Sequence, residues 1–220
     1  MSWLRLHPRA PTSGPSRPRA RRGEGEQLRQ EIIDAAERLL IETDDERSVS
    51  IRAIARSVGV SPPAVYLHFP DKESLIFAVC SKQFEIFDAE MEAAGAGATD
   101  PVDELQRRSR AYVHFGLSHR EAYRIMFMSH LLTEGVRAEA VQRPGTVAFE
   151  HLVAAIQRGI DSHAFRPVDA FEAAIGIWSA VHGVTSLLIT MQAFPWPDVE
   201  TVVELACAPH RDYLRAAAPE

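Results

Sequence analysis

At 220 residues, with 46% hydrophobic and 25% charged positions, the chain has the balance of an ordinary globular protein and enough length for one large core or two small ones. Its formal net charge of -6 argues against a nucleic-acid partner unless positive charge is concentrated locally. Cys80 and Cys207 lie far apart without CxxC spacing, which excludes a zinc motif and a disulfide framework and predicts buried free thiols.

The chain opens on a basic stretch. Arg5, Arg9, Arg17, Arg19, Arg21 and Arg22 all precede the first acidic residue, among Pro and Ser and without helical or strand period. Residues 1–23 therefore read as a disordered basic arm. It either tracks DNA phosphates and enters a minor groove, or it is an inert solvated tail. It lacks the apolar core of a secretion signal, and no run of about 18 apolar residues follows anywhere, so a cytoplasmic protein without a membrane span is expected. A first helix comes next, with Leu28, Ile32, Ala35, Ala36 and Leu39 on one stripe.

From Ser50 the residues spell two short helices and a tight turn. Ser50 is an N-cap, and Ile51, Ile54, Ala55 and Val58 form the apolar face of a short helix. Gly59 ends it, because glycine takes the left-handed conformation that a helix terminus often needs. Ser61 can cap the next helix, with Pro62 at its first position. Val65 and Phe69 stack one turn apart and face inward, which directs Ala64, Leu67 and His68 elsewhere. Pro70 closes this helix and Asp71 caps a fourth, with Lys72 in its first turn.

This stretch, IRAIARSVGVSPPAVYLHFPDKESL, resembles the DNA-binding domain of TetR-family transcriptional regulators, and with the upstream helix the likeness covers roughly residues 25 to 80. The glycine turn, the Tyr66-Leu67-His68-Phe69 core and the Asp-Lys-Glu cap agree together, which an ordinary helical hairpin does not require. The resemblance implies that Ser61, Pro62, Pro63, Ala64, Tyr66, Leu67 and His68 lie on or near a recognition helix, and that Arg52 and Lys72 hold phosphates. Tyr66 can also donate its hydroxyl to a phosphate oxygen. Ser-Pro-Pro-Ala offers little bidentate hydrogen bonding to bases, so sequence choice is expected from thymine methyls, His68, water, DNA shape or the arginine arm.

Beyond the motif the pattern is helical throughout. The fourth helix runs from about 72 to 94 through Leu75, Ile76, Val79, Phe84 and Phe87, and a Gly/Ala linker reaches Pro101. Helices are expected at about 101–118, 120–133, 138–162, 168–193 and 198–215, with breaks at Gly135, Pro167 and Pro195-Trp196-Pro197. Alternating strand patterns and repeats are absent. The expected fold is all-α: a three-helix helix-turn-helix domain over residues 24–72, then a larger helical ligand-binding and dimerisation bundle over 73–220.

The span IGIWSAVHGVTSLL, Ile175 to Leu188, resembles the C-terminal domain of a TetR subgroup marked by a Trp and a His-Gly pair in one helix, and implies ligand binding and dimerisation. That helix is apolar nearly all round, which predicts burial by its own bundle on one side and by a second subunit on the other. The homodimer interface is placed on the last two long helices. Tyr112, Phe115, Tyr123, Met126, Phe127, Phe149, Phe171, Trp178 and His182 are the candidates to line a cavity for a small hydrophobic or amphipathic effector. Gly183 is expected to permit close helix approach.

Neither a cofactor nor a metal is predicted. Nine histidines are present, yet in the helical part no two stand four apart on one helix. A metal-dependent enzyme or a helical carrier of hydrophobic ligands remain the competing classes. The first lacks a GxSxG nucleophile, a phosphate loop and framed carboxylates; the second has no use for the turn at Gly59. The expectation is a non-enzymatic regulator, acting as a repressor, that binds a palindrome in double-stranded DNA.

Overall fold

Four helices are built first from strong local signals. The computed structural model describes residues 24–43, 49–128 and 145–215; the basic arm, the break at Gly135 and the start of the helix expected from 138 lie outside them. Helix α1 (Glu24–Thr43) carries Glu24 and Glu26 in its first turn, where the helix dipole favours negative charge, and buries Ile32, Ile33, Ala35, Ala36 and Leu40. Helix α2 (Ile51–Val58) starts where the Ser50 side chain accepts from the Ala53 N–H at 3.2 Å. It stops at Gly59, whose φ of 77° lets its own N–H reach the Arg56 carbonyl while Val60 reaches that of Ala55.

Helix α3 (Pro62–Tyr66) is only five residues long, and it departs from the sequence reading in one detail. Ser61 has the extended backbone of an N-cap, but its side chain makes no capping hydrogen bond. Pro62 and Pro63 have no N–H to offer, and the Ala64 N–H is already given to the Ser61 carbonyl at 2.9 Å. Helix α4 (Lys72–Ala96) opens with a reciprocal cap: the Asp71 carboxylate accepts from the Ser74 N–H at 2.7 Å, and the Asp71 N–H donates to the Ser74 hydroxyl. It runs two residues past the expected Ala94, and Gly95 there leaves room for the Arg108 guanidinium, which a Cβ would meet at 2.8 Å.

The remainder is a bundle of α5 (Pro101–Ser118), α6 (Arg120–Met128), α7 (Thr146–Asp161), α8 (Ala170–Thr190) and α9 (Val199–Leu214). Helix α5 is its axis and packs against α4, α6, α7, α8 and α9. The only β pairing among the described residues is an isolated bridge between Phe165 and Arg215, so the architecture is all-α.

Apolar burial falls into three clusters. One joins α1 to α3 with the first half of α4 and takes in Ile125 of α6. A second joins the rest of α4 to α5, α6, α8 and α9, and a third joins α5, α7, α8 and α9. Helix α4 is the shared element, placing Leu75, Ile76 and Val79 in the first core and Phe87 and Met91 in the second. Each such side chain contributes about 1.5–3 kcal/mol by burial, so both ends of α4 are firmly held.

Helix α8 corrects one expectation. By length and composition its 21 residues are enough to cross a bilayer, although about a third of that window is buried within this chain. Its buried stripe, Ala174, Ile177, Val181, Thr185 and Leu188, packs on α5, α7 and α9. Phe171, Ile175, Trp178 and Leu187 stand partly in the open on the two flanks of that stripe, while the face directly opposite it carries Glu172, Ser179 and Thr190. Gly183 approaches no neighbour here, since a Cβ built on it would have nothing within 4 Å. Cys80 is buried as predicted, whereas Cys207 is only partly so, and neither is in a disulfide.

Candidate nucleic-acid interface and interior aromatic cluster

The first site is built outward from a buried pair. Val65 and Phe69 occupy the core at 0% and 3% exposure, and the register of α3 then turns the intervening residues outward. Tyr66 is 52% exposed and Leu67 86%, with Ser61 and Pro63 also exposed and Pro62, Ala64 and His68 half-buried. Arg52 is exposed on α2, and Lys72 sits half-buried in the first turn of α4. From Ser50 to Pro70 the only formal charges are Arg52 and Arg56, so this surface is positive in a chain that is negative overall.

Two cations on this side were not singled out from the sequence. Arg56 is exposed one turn beyond Arg52, a spacing of four that places both on the polar face of α2. Arg29 of α1 lies with its guanidinium carbon 5.1 Å from the centre of the Phe69 ring, which ties α1 to the end of the turn. The i, i+4 step from Arg52 was readable; the contact with Phe69, 40 positions away, was not.

The second site lies inside the bundle. Eight of the nine predicted ligand residues belong to one continuous set of ring contacts that also includes Phe84 and Phe87 of α4. Phe115 and Tyr112 meet Phe87, each at 5.2 Å between centres, and Tyr123, Phe127 and Trp178 surround His182. The ninth, Met126, is buried in the same core without a ring contact. Phe149 joins Phe171 to Trp178 at the margin, where Phe171 is 55% and Trp178 38% exposed. Two hollows of about 330 and 350 Å³ lie elsewhere, between α8 and α9 and between α1 and α4, and neither touches any of the nine.

A polar knot sits at the centre of these rings. The Tyr123 hydroxyl is 2.6 Å and the Tyr112 hydroxyl 3.0 Å from His182 Nδ1, and the two hydroxyls are 3.4 Å apart. Burial pushes both phenols above their ordinary range and pushes the imidazole below 6.5. The phenols therefore stay protonated and His182 stays a neutral ring, with its Nδ1 in hydrogen-bond contact with both hydroxyls.

Ion pairs hold α4 at both ends. Lys82 bonds Asp34 at 2.9 Å and Glu37 at 2.7 Å on α1, and buried Gln83 donates to the same Glu37. Burial opposes ionisation of Asp34, but the hydrogen bonds from Lys82 and Gln30 hold its carboxyl below the usual range. Further along, Arg108 of α5, with 8% of its side chain exposed, bonds Glu92 of α4 at 2.7 Å and Glu104 at 2.9 Å. The hydrogen bond from Arg108 keeps Glu92 below the usual carboxylate range. His151 of α7 adds a contact to Asp88 at 2.9 Å, giving the one grouping of three potential metal donors among the described residues, Asp88, Glu92 and His151. Arg108 already engages Glu92 there, so these side chains are accounted for as an ion-pair network.

A left-handed glycine turn between two short helices, an outward positive face and a separate helical bundle together define a helix-turn-helix transcriptional regulator. Residues 32–79 match the family described as bacterial regulatory proteins, tetR family, and residues 105–208 match the tetracyclin repressor-like C-terminal domain. The chain belongs to the TetR family. It is similar to the HTH-type transcriptional regulator HbdR of Aromatoleum sp. (strain CIB), at 29% identity over 52% of this chain and 48% of that protein. It is also similar to the HTH-type transcriptional activator FasR of Mycolicibacterium smegmatis, at 27% identity over 58% of this chain and 59% of that one. The matches thus span about half the length of these curated relatives. Among solved structures, a protein of unknown function from Rhodococcus sp. RHA1 superposes with a TM-score of 0.74 at 26% identity, over 86% of this chain and 96% of that one.

Proposed function

We propose that the chain is a homodimeric repressor that binds a palindromic operator in double-stranded DNA and responds to a small hydrophobic or amphipathic effector. The observation that carries the reading is the outward face of α2 and α3, where exposed Arg52, Arg56, Tyr66 and Leu67 stand on a core fixed by Val65 and Phe69. Arg52, Lys72 and Tyr66 hold phosphates, joined by Arg56 and Arg29, while Ser61, Pro62, Pro63, Ala64, Leu67 and His68 face the groove. The arm of residues 1–23 adds positive charge beside them.

The dimer is supported by Ile175 and Leu187 on α8 and Leu205 on α9, large apolar side chains left exposed on the last two long helices and suited to cover by a second copy with two-fold symmetry. The effector is held by the aromatic cluster, with Tyr112, Tyr123 and His182 as its polar centre and Phe149, Phe171 and Trp178 as the rings that part to admit it. Helix α4 carries the response, because Phe84 and Phe87 touch the cluster while Leu75 and Ile76 lie in the core under α3. An effector acts only through unequal affinity for the two arrangements of α4. Functionally, residues 24–72 serve DNA and residues 73–220 serve effector and partner.

Selection of the full chain against random duplexes, with light scattering of the free protein, tests this reading. A palindromic consensus and a dimeric mass are expected. Recovery of no sequence, with a monomer at micromolar concentration, overturns it in favour of a carrier or an enzyme.

A further inference from the structure

Leu67 is 86% exposed, more than any other large hydrophobic side chain among the described residues. Its position is not loose. Val65 and Phe69 on either side are buried, and the Leu67 N–H is bonded to the Pro63 carbonyl at 3.2 Å, so the isobutyl group is aimed outward by a fixed backbone. Pro63, exposed one turn earlier, lies on the same side and extends it into a short apolar ridge.

The chemistry around that ridge is one-sided. Pro62 and Pro63 carry no N–H, Ala64 donates its own to Ser61, and α3 has no Arg, Lys, Asn or Gln to grip a base edge. Among the described residues, cations stand at the margins, on α2 at Arg52 and Arg56, on α1 at Arg29 and at the start of α4 at Lys72. A surface with a positive rim and an apolar centre fits a duplex whose phosphates meet the rim. The apolar group that a major groove then presents to the centre is the 5-methyl of a pyrimidine.

We propose that Leu67 is a base-reading residue that recognises the 5-methyl group of thymine in each half-site, with Pro63 packing beside it. The inference rests on the DNA-binding reading above and goes beyond it by naming what the recognition helix reads. It also gives the exposed leucine a role that stability does not require, since among the described residues its side chain is left 86% exposed.

The test replaces each thymine of a selected duplex in turn by deoxyuridine, which keeps every base-pairing group and removes only the methyl. Duplexes synthesised without 5-methylcytosine leave thymine as the sole source of that group. Binding of the full chain is expected to weaken about fourfold at one symmetric position, and about fifteenfold when both half-sites lose the methyl. L67A is expected to bind the thymine and deoxyuridine duplexes equally while melting at the wild-type temperature. A selected duplex indifferent to deoxyuridine throughout, or L67A that still discriminates, overturns this inference and leaves the DNA-binding reading intact. Recovery of no duplex at all overturns both.

Discussion

Around the turn at Gly59 the buried side chains and the proposed working side chains are different residues. Ile54, Val65 and Phe69 hold the shape, while Arg52, Tyr66 and Leu67 project from it into solvent. In the bundle the two roles coincide, because Tyr112, Tyr123 and Phe127 both fill the core and form the proposed effector site. Substitutions on the outside should therefore change binding without changing stability, whereas those on the inside cannot separate the two.

The largest effect is expected at the ion-pair network. Arg108→Ala removes the bonds to Glu92 and Glu104, of which Glu104 keeps Arg158 and Glu92 is partly exposed, and should cost about 2 kcal/mol, read as a lower denaturant midpoint. Next comes Tyr123→Phe, which removes the hydroxyl closest to His182 Nδ1 from a buried site and should cost about 1–2 kcal/mol. An unchanged midpoint in either variant would break the contrast by showing that interior groups can be removed freely.

A smaller effect concerns pH. Burial depresses the His182 pKa below 6.5, so on acidification the unfolded chain takes up this proton before the folded one does. The stability it contributes is complete above 6.5 and is lost as pH falls from there through the depressed folded value. His182→Asn keeps an acceptor near Nδ1 but does not titrate, so its melting temperature should fall less between about pH 7 and about pH 5 than that of the wild type. Parallel curves would place the proton elsewhere.

The smallest stability effect belongs to the outer face. Arg52→Ala and Leu67→Ala should stay within about 0.5 kcal/mol of the wild type, since neither side chain is packed. A larger loss from either would show that the exterior also supports the fold.

The same contrast explains what could be read from the sequence. Ser50, Gly59 and Asp71 set helix ends through bonds to residues within five positions, so α2, the turn and the start of α4 were legible. Ser61 was misread as a side-chain cap because the two prolines that follow it withhold the donors a cap needs. In α8, Glu172, Ser179, Gly183 and Thr190 fall on one side, so the outward face was legible, and the expectation of a helix apolar nearly all round passed over it. The nine ring and methionine positions were proposed one by one, and that eight of them would touch in one set of rings with Phe171 and Trp178 at its margin was not legible. The Tyr112-Tyr123-His182 knot joins three helices across up to 70 positions, and no local pattern announces it.

The proposed division of labour is tested most directly by the salt dependence of binding to a selected duplex, comparing the wild type with a chain carrying both Arg52→Ala and Lys72→Ala. Two lost phosphate contacts in each half of a dimer should make the slope of log affinity against log salt shallower by about 3 to 4. The melting temperature should stay close to that of the wild type. An unchanged slope, with the same affinity at every salt concentration, would contradict the assignment of DNA binding to this face.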